Sequence, residues 1–251
     1  MIEEFIMNFV VFDSEFNQNI SALADNDKRA VYPFEIIQIG AVKLDESLNV
    51  VGTFNHLVKP TIYSSILPFI TKLTGIETDH LMDKKTFPSV FREFVDFAGI
   101  DAVLCMWGMS DIKELFRNSS YHGLDLTLLP KKYINLQGYA SMYFNSQNKN
   151  QMRLQHVVEL MNIPVSSDFH DALNDAYYTA EIFKRLYNSA VEIKDYDPDY
   201  VRPRISQPRK KIDTEGLLMQ FEKMYQRELT PEEKSMIILS YKMGKTGQFL
   251  K

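Results

Sequence analysis

The sequence predicts an α/β domain built on a mixed sheet, followed by a small helical extension. Three features carry that expectation: a long apolar run near the start, two strand-like runs joined by a polar turn, and later apolar segments alternating with stretches of helical spacing. The chain has 251 residues, 45% of them hydrophobic and 24% charged, with 10 Gly and 10 Pro. Such a composition excludes disorder as the main state and supports one or two domains with a full core.

The first expected element is Ile6 to Phe12, an almost continuous apolar run rich in Phe and Val that ends in Asp13-Ser14-Glu15. It suits a central strand buried on both faces. Glu35 to Leu44 and Val50 to Val58 read as two more strands, joined by the polar turn Asp45-Glu46-Ser47-Leu48-Asn49, so the domain should begin with three antiparallel strands. Pro88 to Phe97 has a broad apolar helical face, and Ala102 to Trp107 reads as another buried strand. A short helix is expected from Ser110-Asp111 through Phe116, with Ser110 as its N-cap. Tyr133 to Leu136 is the last strand candidate, and helices over Leu154 to Met161 and Asp171 to Leu186 close the domain. The expected division is a domain over 1–190, a Pro-containing basic linker over 191–212, and a helical hairpin over 213–251. In the hairpin, Thr214 to Tyr225 has helical spacing, and Thr230-Pro231-Glu232-Glu233 forms a capping box with Pro at N1 ahead of a helix through Met243.

Charge divides the chain. Residues 1 to 200 carry 17 basic and 27 acidic residues, whereas residues 201 to 251 carry 11 and 6. The basic excess gathers in Arg202, Arg204, Arg209, Lys210 and Lys211, interleaved with Pro203 and Pro208. Such a stretch runs extended and serves either as a solvated tether or as a phosphate contact. The lone Cys105 forms no internal disulfide, the start lacks a basic, apolar leader, and no segment has the ~20 consecutive apolar residues of a membrane helix. The expectation is a cytoplasmic protein without a membrane role. Gly244-Lys245-Thr246 is no phosphate loop, because position 239 is Leu and the segment follows a helix.

Asp13 and Glu15 stand two apart on a strand, so both project to one face. Two neighbouring carboxylates raise each other's pKa unless a cation joins them; the pair is therefore either solvated where the strand gives way to a loop or part of a metal site. Asp111 opens a helix, where a negative charge is favourable in any case. His170 precedes Asp175 by five residues at a helix start, and Ala172, Ala176 and Ala180 form a stripe that lets the helix approach a neighbouring element closely.

Taken together, Phe12-Asp13-Ser14-Glu15, Asp111 and His170-x4-Asp175 resemble, in this order, the three motifs of the DEDDh, or DnaQ-like, 3′–5′ exonucleases. Glu35-Ile36-Ile37-Gln38-Ile39-Gly40-Ala41-Val42 and Leu73-Thr74-Gly75-Ile76 are similar to further stretches of that family. The resemblance spans roughly residues 7 to 187 and is strongest toward the branch with the histone-mRNA-end exonuclease and KapD-type bacterial proteins. It implies a ribonuclease H-like, five-stranded mixed sheet flanked by helices, and two Mg²⁺ or Mn²⁺ ions. By the same resemblance Asp13 bridges both ions, Glu15 and Asp175 complete one site, Asp111 holds the second ion, and His170 is the general base. A histidine with a pKa near ~6.5 keeps a neutral fraction at pH 7, as that role requires.

The implied substrate is the 3′ end of single-stranded nucleic acid, RNA slightly favoured over DNA, with nucleoside 5′-monophosphates released. DNA trimming or proofreading is the alternative within enzymes. A non-catalytic binding module is the alternative outside them, and the intact carboxylate set argues against it. Ser14, Phe16, Thr74, Gly75 and Trp107 are the substrate-binding candidates. Phe16 stands where many relatives have Thr and either stacks on a base or packs in the core; Trp107 either lines the cleft or is core; Thr74 and Gly75 either bound the terminal nucleotide or form a tight turn. The extension over 201–251 clamps nucleic acid, docks on a protein partner, or covers the domain.

Overall fold

The computed structural model describes residues 8–18, 34–146, 152–188, 190–200 and 213–245. The chain forms two compact units, Met1–Tyr200 and Val201–Lys251. The expected start of the first strand at Ile6 and the basic stretch over 201–212 lie outside the described residues.

The first unit is built on a sheet in the order β3-β2-β1-β4-β5-β6. Its strands are β1 (Phe9–Asn17), β2 (Glu35–Leu44), β3 (Val50–Leu57), β4 (Val103–Met106), β5 (Lys132–Asn135) and β6 (Lys194–Asp195). β1 pairs antiparallel with β2 and parallel with β4; β2 and β3 are antiparallel, β4 and β5 parallel, and β5 and β6 antiparallel. The sheet is mixed as expected, but it has six strands rather than five. Lys194–Asp195, which falls inside the stretch expected to be linker, adds to its edge beside β5. Two charged residues make too weak a pattern to read as a strand.

β1 is buried on both faces because helices cover both. Val10 and Phe12 pack with Phe91, Phe94 and Leu115 from α3 (Phe87–Ala98) and α4 (Ser110–Tyr121). Phe9 and Val11 pack with Ala176, Ala180 and Phe183 from α7 (Ala172–Leu186) on the opposite face. Two short helices absent from the sequence reading, α1 (Pro68–Thr74) and α2 (Thr78–Leu81), cover Ile37 with Ile70 and Leu81. α5 (Leu136–Tyr143) and α6 (Leu154–Leu160) pack against α7 through Ala140, Val157 and Ile182.

Three local expectations need correction. The N-cap of α4 is Met109, with no side-chain cap bond, and Ser110 is already in the first turn; the helix also runs to Tyr121 rather than Phe116, since its buried Leu115, Phe116 and Ser119 continue the inner face. Asp13 and Glu15 lie inside β1, whose pairing with β2 continues to Asn17, and not where the strand gives way to a loop.

The second unit contains α8 (Thr214–Tyr225), capped by Asp213 through the Gly216 amide, and α9 (Pro231–Lys245). The capping box is formed: the Thr230 amide donates to Glu233 at 2.8 Å and the Glu233 amide to Thr230 Oγ1 at 3.3 Å. Among the described residues no helix is long and apolar enough to cross a membrane.

Candidate active site

The site is assembled at the carboxyl ends of two parallel strands, β1 and β4, the usual position for ligands in open α/β sheets. Side chains alternate along a strand, and Phe9 and Val11 already face α7. The two-residue period therefore carries Asp13 and Glu15 toward α7 as well. α7 can come close because β2 offers a glycine opposite Asp13. A Cβ on Gly40 would lie 2.1 Å from the Leu173 nitrogen and 2.2 Å from the Ala172 carbonyl carbon. Only a hydrogen fits there. Ala172 and Ala176 are fully buried, so the alanine stripe does bring the helix against the sheet and Asp175 with it.

Asp111, in the first turn of α4, reaches β1 directly: its Oδ1 accepts the buried Ser14 amide at 3.1 Å. His170 is exposed and has left-handed backbone, φ 67°, a conformation that strains a non-glycine residue by about 1–2 kcal/mol. It is held there by its own amide, which donates to Asp175 Oδ2 at 3.2 Å. Ligand atoms of Glu15, His170 and Asp175 all lie within 4.8 Å of one another. The five side chains singled out from the sequence thus converge on one place.

Their electrostatics are those of crowded, desolvated acids. Burial, and then the charges of Asp111, Asp175, Glu15 and Asp171, hold Asp13 well above the usual carboxylate range. Burial and then Asp175 push Glu15 up to about 8. Asp111 rises to about 7 through burial, moderated by backbone hydrogen bonds including that of Ser14. Asp175 rises to about 6, again through burial, with the amide and charge of His170 pulling the other way. Among the described residues, no lysine or arginine ion pair reaches any of the four. Asp175 Oδ1 is buried without a hydrogen-bond partner among the described residues. Hard oxygen donors, an orphaned carboxylate oxygen and unneutralised charge fit Mg²⁺ or Mn²⁺.

The substrate-binding candidates are placed less uniformly. Ser14 is 4% exposed, and its Oγ has no hydrogen-bond partner among the described residues. Phe16 is partly buried against the α3 side of the core. Thr74 Oγ1 donates to the Ile70 carbonyl at 3.0 Å and accepts the Ile76 amide at 3.1 Å, and Gly75 ends α1 with φ 72°. Both border an open cleft of about 490 Å³ that also touches Gln38 and Asp171. Trp107 is engaged in the fold, with its indole N–H donating to the Met152 carbonyl at 3.0 Å.

Sequence reasoning missed the polar residues that hold the walls. Glu35 accepts the amides of Thr61, Ile62 and Tyr63, and Asn17 bonds the Ser65 carbonyl and the Leu67 amide, so both pin the segment that leads to Thr74. The available signal was their place in otherwise apolar strands, where a buried polar side chain needs partners.

The profile of the RNase_T family, described as Exonuclease, matches residues 10–183. The DNA polymerase III PolC-type protein of Caldanaerobacter subterraneus subsp. tengcongensis is 31% identical over 185 residues, 74% of this chain and 12% of that protein. The 3′–5′ exoribonuclease 1 of Rattus norvegicus is 25% identical over 188 residues, 70% of this chain and 53% of that protein. The chain thus spans about half, or much less, of the length of these relatives. The crystal structure of the nuclease domain of 3′hExo, a DEDDh family member bound to rAMP, superposes with a TM-score of 0.63 at 21% identity, covering 77% of this chain and 98% of that one. That likeness shows a shared fold. With the profile spanning the sheet from β1 through α7 and every motif inside it, the chain belongs to the RNase_T exonuclease family.

Proposed function

We propose that this protein is a divalent-metal-dependent 3′–5′ exonuclease that removes nucleoside 5′-monophosphates from single-stranded nucleic acid, RNA slightly favoured over DNA. The observation that carries the reading is the convergence of Asp13, half-buried, with the buried Glu15, Asp111 and Asp175, which no lysine or arginine ion pair reaches among the described residues, beside an exposed His170. In this reading Asp13 would bridge two ions, Glu15 and Asp175 would complete one site, and Asp111 would hold the other. Bound divalent cations supply Lewis-acid stabilisation of charge on the phosphoryl oxygens and make a water more acidic.

His170 does the proton work. A ring nitrogen accepts a proton from the attacking water as its oxygen forms a bond to phosphorus, and the bond from phosphorus to the 3′-oxygen of the preceding nucleotide breaks. The leaving 3′-oxygen takes its proton from solvent. The exposure of His170 suits release of the proton it has accepted, while the hydrogen bond from its backbone N–H to Asp175 keeps the residue at the carboxylates. The cleft beside Thr74 and Gly75 is the place for the terminal nucleotide.

RNA is favoured by likeness to the 3′–5′ exoribonuclease 1 proteins; the DNA reading is kept by the more identical polymerase relative. A timed digest of 5′-labelled RNA and DNA oligomers, single and double stranded, with Mg²⁺, with Mn²⁺ and with chelator, tests both. A 3′-shortening ladder that needs metal is expected. No ladder, or one that persists in chelator, overturns the reading. For the extension over 201–251 the test is a binding titration at several salt concentrations with a chain lacking those residues: a nucleic-acid clamp predicts a shallower salt dependence after deletion, and an unchanged slope excludes it.

A further inference from the structure

Gln38 lies on β2, between Ile37 and Ile39 of the core, and is 3% exposed. A buried amide among isoleucines is unfavourable unless every polar atom is satisfied. Here its partners come from two directions. Its Nε2 donates to Asn55 Oδ1 on β3 at 3.0 Å and to Asp171 Oδ2 at 2.9 Å, and its Oε1 accepts the Ala172 amide at 3.3 Å. A carboxylate only accepts and a backbone N–H only donates, so these partners leave the amide one orientation.

Asp171 is the N-cap of α7. Its Oδ1 takes the Leu173 and Asn174 amides, both at 3.1 Å, which leaves Oδ2 for Gln38. The residue before it is His170, whose left-handed backbone is pinned on its other side by Asp175. The direction of the imidazole therefore depends on two anchors, and one of them is Gln38.

We infer that Gln38 is a positioning residue: through Asp171 and the Ala172 amide it ties the start of α7 to the sheet and sets how His170 is presented to the carboxylates. The inference rests on the general-base reading of His170 given above. Gln38 is not a catalytic residue, since it acts on the backbone beside the base. Outer groups that orient a working side chain change activity by about 10–100-fold when removed.

Gln38→Met keeps the length of the side chain and removes all three bonds. With labelled single-stranded oligomer and saturating Mn²⁺, kcat is expected to fall about 10–100-fold, with Mn²⁺ affinity close to that of the parent. In a His170→Ala background the same change should have no further effect, because there is no base left to orient. In metal-free protein, hydrogen exchange at the amides of His170 to Asn174 should speed up, with the rest of the sheet unchanged. Losses that add in the double variant, an unchanged kcat, or unchanged exchange overturn the inference. If the parent chain releases no nucleotide, the exonuclease reading fails, and the exchange experiment still decides whether Gln38 holds this segment. Should Gln38→Met not fold, Asp171→Ser replaces it in the same cycle, since serine caps the helix but does not reach Gln38.

Discussion

One face of β1 is buried in two opposite ways. Phe9 and Val11 lie under α7, where Phe9 meets the rings of Phe183 and Tyr187 edge-on, each at 5.0 Å. Two and four residues later the same face carries Asp13 and Glu15 under the start of the same helix. The first burial releases water from apolar surface and stabilises the fold. The second strips water from acids that repel one another. The strand's own amino-terminal half offsets the cost of the site, and only a cation or protons relieve the repulsion.

The largest effect should come from the acidic end. Asp13→Ala or Asp175→Ala is expected to lower nucleotide release by more than about 10³-fold, yet the melting temperature in chelator should stay level or rise because repulsion is relieved. A sharp loss of metal-free stability would show that these carboxylates hold the fold together. At the apolar end the reverse is expected. Phe9→Ala should destabilise by about 3–5 kcal/mol in a denaturant titration, while the folded fraction keeps the kcat of the parent.

The metal prediction follows next. At about 100 times its Kd, Mn²⁺ bound at one site should stabilise the protein by about 2.7 kcal/mol, read as a rise in melting temperature that neither Asp13→Ala nor Asp175→Ala reproduces. The pH dependence in chelator has a definite sign. Glu15, Asp111 and Asp175 sit at about 8, 7 and 6, above their ordinary values of 4.5, 3.8 and 3.8. The folded state therefore binds more protons than the unfolded chain between those limits. Stability from these groups is full below the ordinary values and is lost as pH rises through the raised ones. The metal-free melting temperature should fall from about pH 5 to about pH 8, and saturating Mn²⁺ should flatten that slope. A metal-free protein that grows more stable over this range would contradict the picture of crowded acids.

The smallest effect belongs to Trp107. Trp107→Phe removes the bond to the Met152 carbonyl, where the Gln137 side chain also donates at 3.0 Å. The expected loss is about 1 kcal/mol in thermal unfolding, with little change in KM. A large rise in KM would instead place the indole against the substrate.

Much of this was legible along the chain because it depends on near neighbours. β2 from Glu35 to Leu44 and α8 from Thr214 to Tyr225 have the bounds that their apolar patterns predict, and the Thr230 to Glu233 capping box needs only three residues of separation. α1 and α2 are not legible along the chain because each buries a single residue, Ile70 in one and Leu81 in the other, which makes no periodicity. Their stability comes from Ile37 on a distant strand. β6 was missed for the same reason, since a two-residue edge is defined by pairing with β5 and not by its own composition.

Covalent order alone sets the chemistry on offer: which carboxylates exist, that Asp13 and Glu15 share a face, and that an alanine stripe permits a close helix. Those are consequences of covalent order and of the two-residue and 3.6-residue periods. Tertiary structure alone decided that the stripe meets Gly40, that Asp111 reaches the Ser14 amide 97 residues away, and that Gln38 grips Asp171 at a separation of 133 residues. Desolvation and hydrogen bonding act between atoms close in space. No local pattern records which distant backbone will arrive there, so the raised pKa values and the anchoring of His170 belong to the fold.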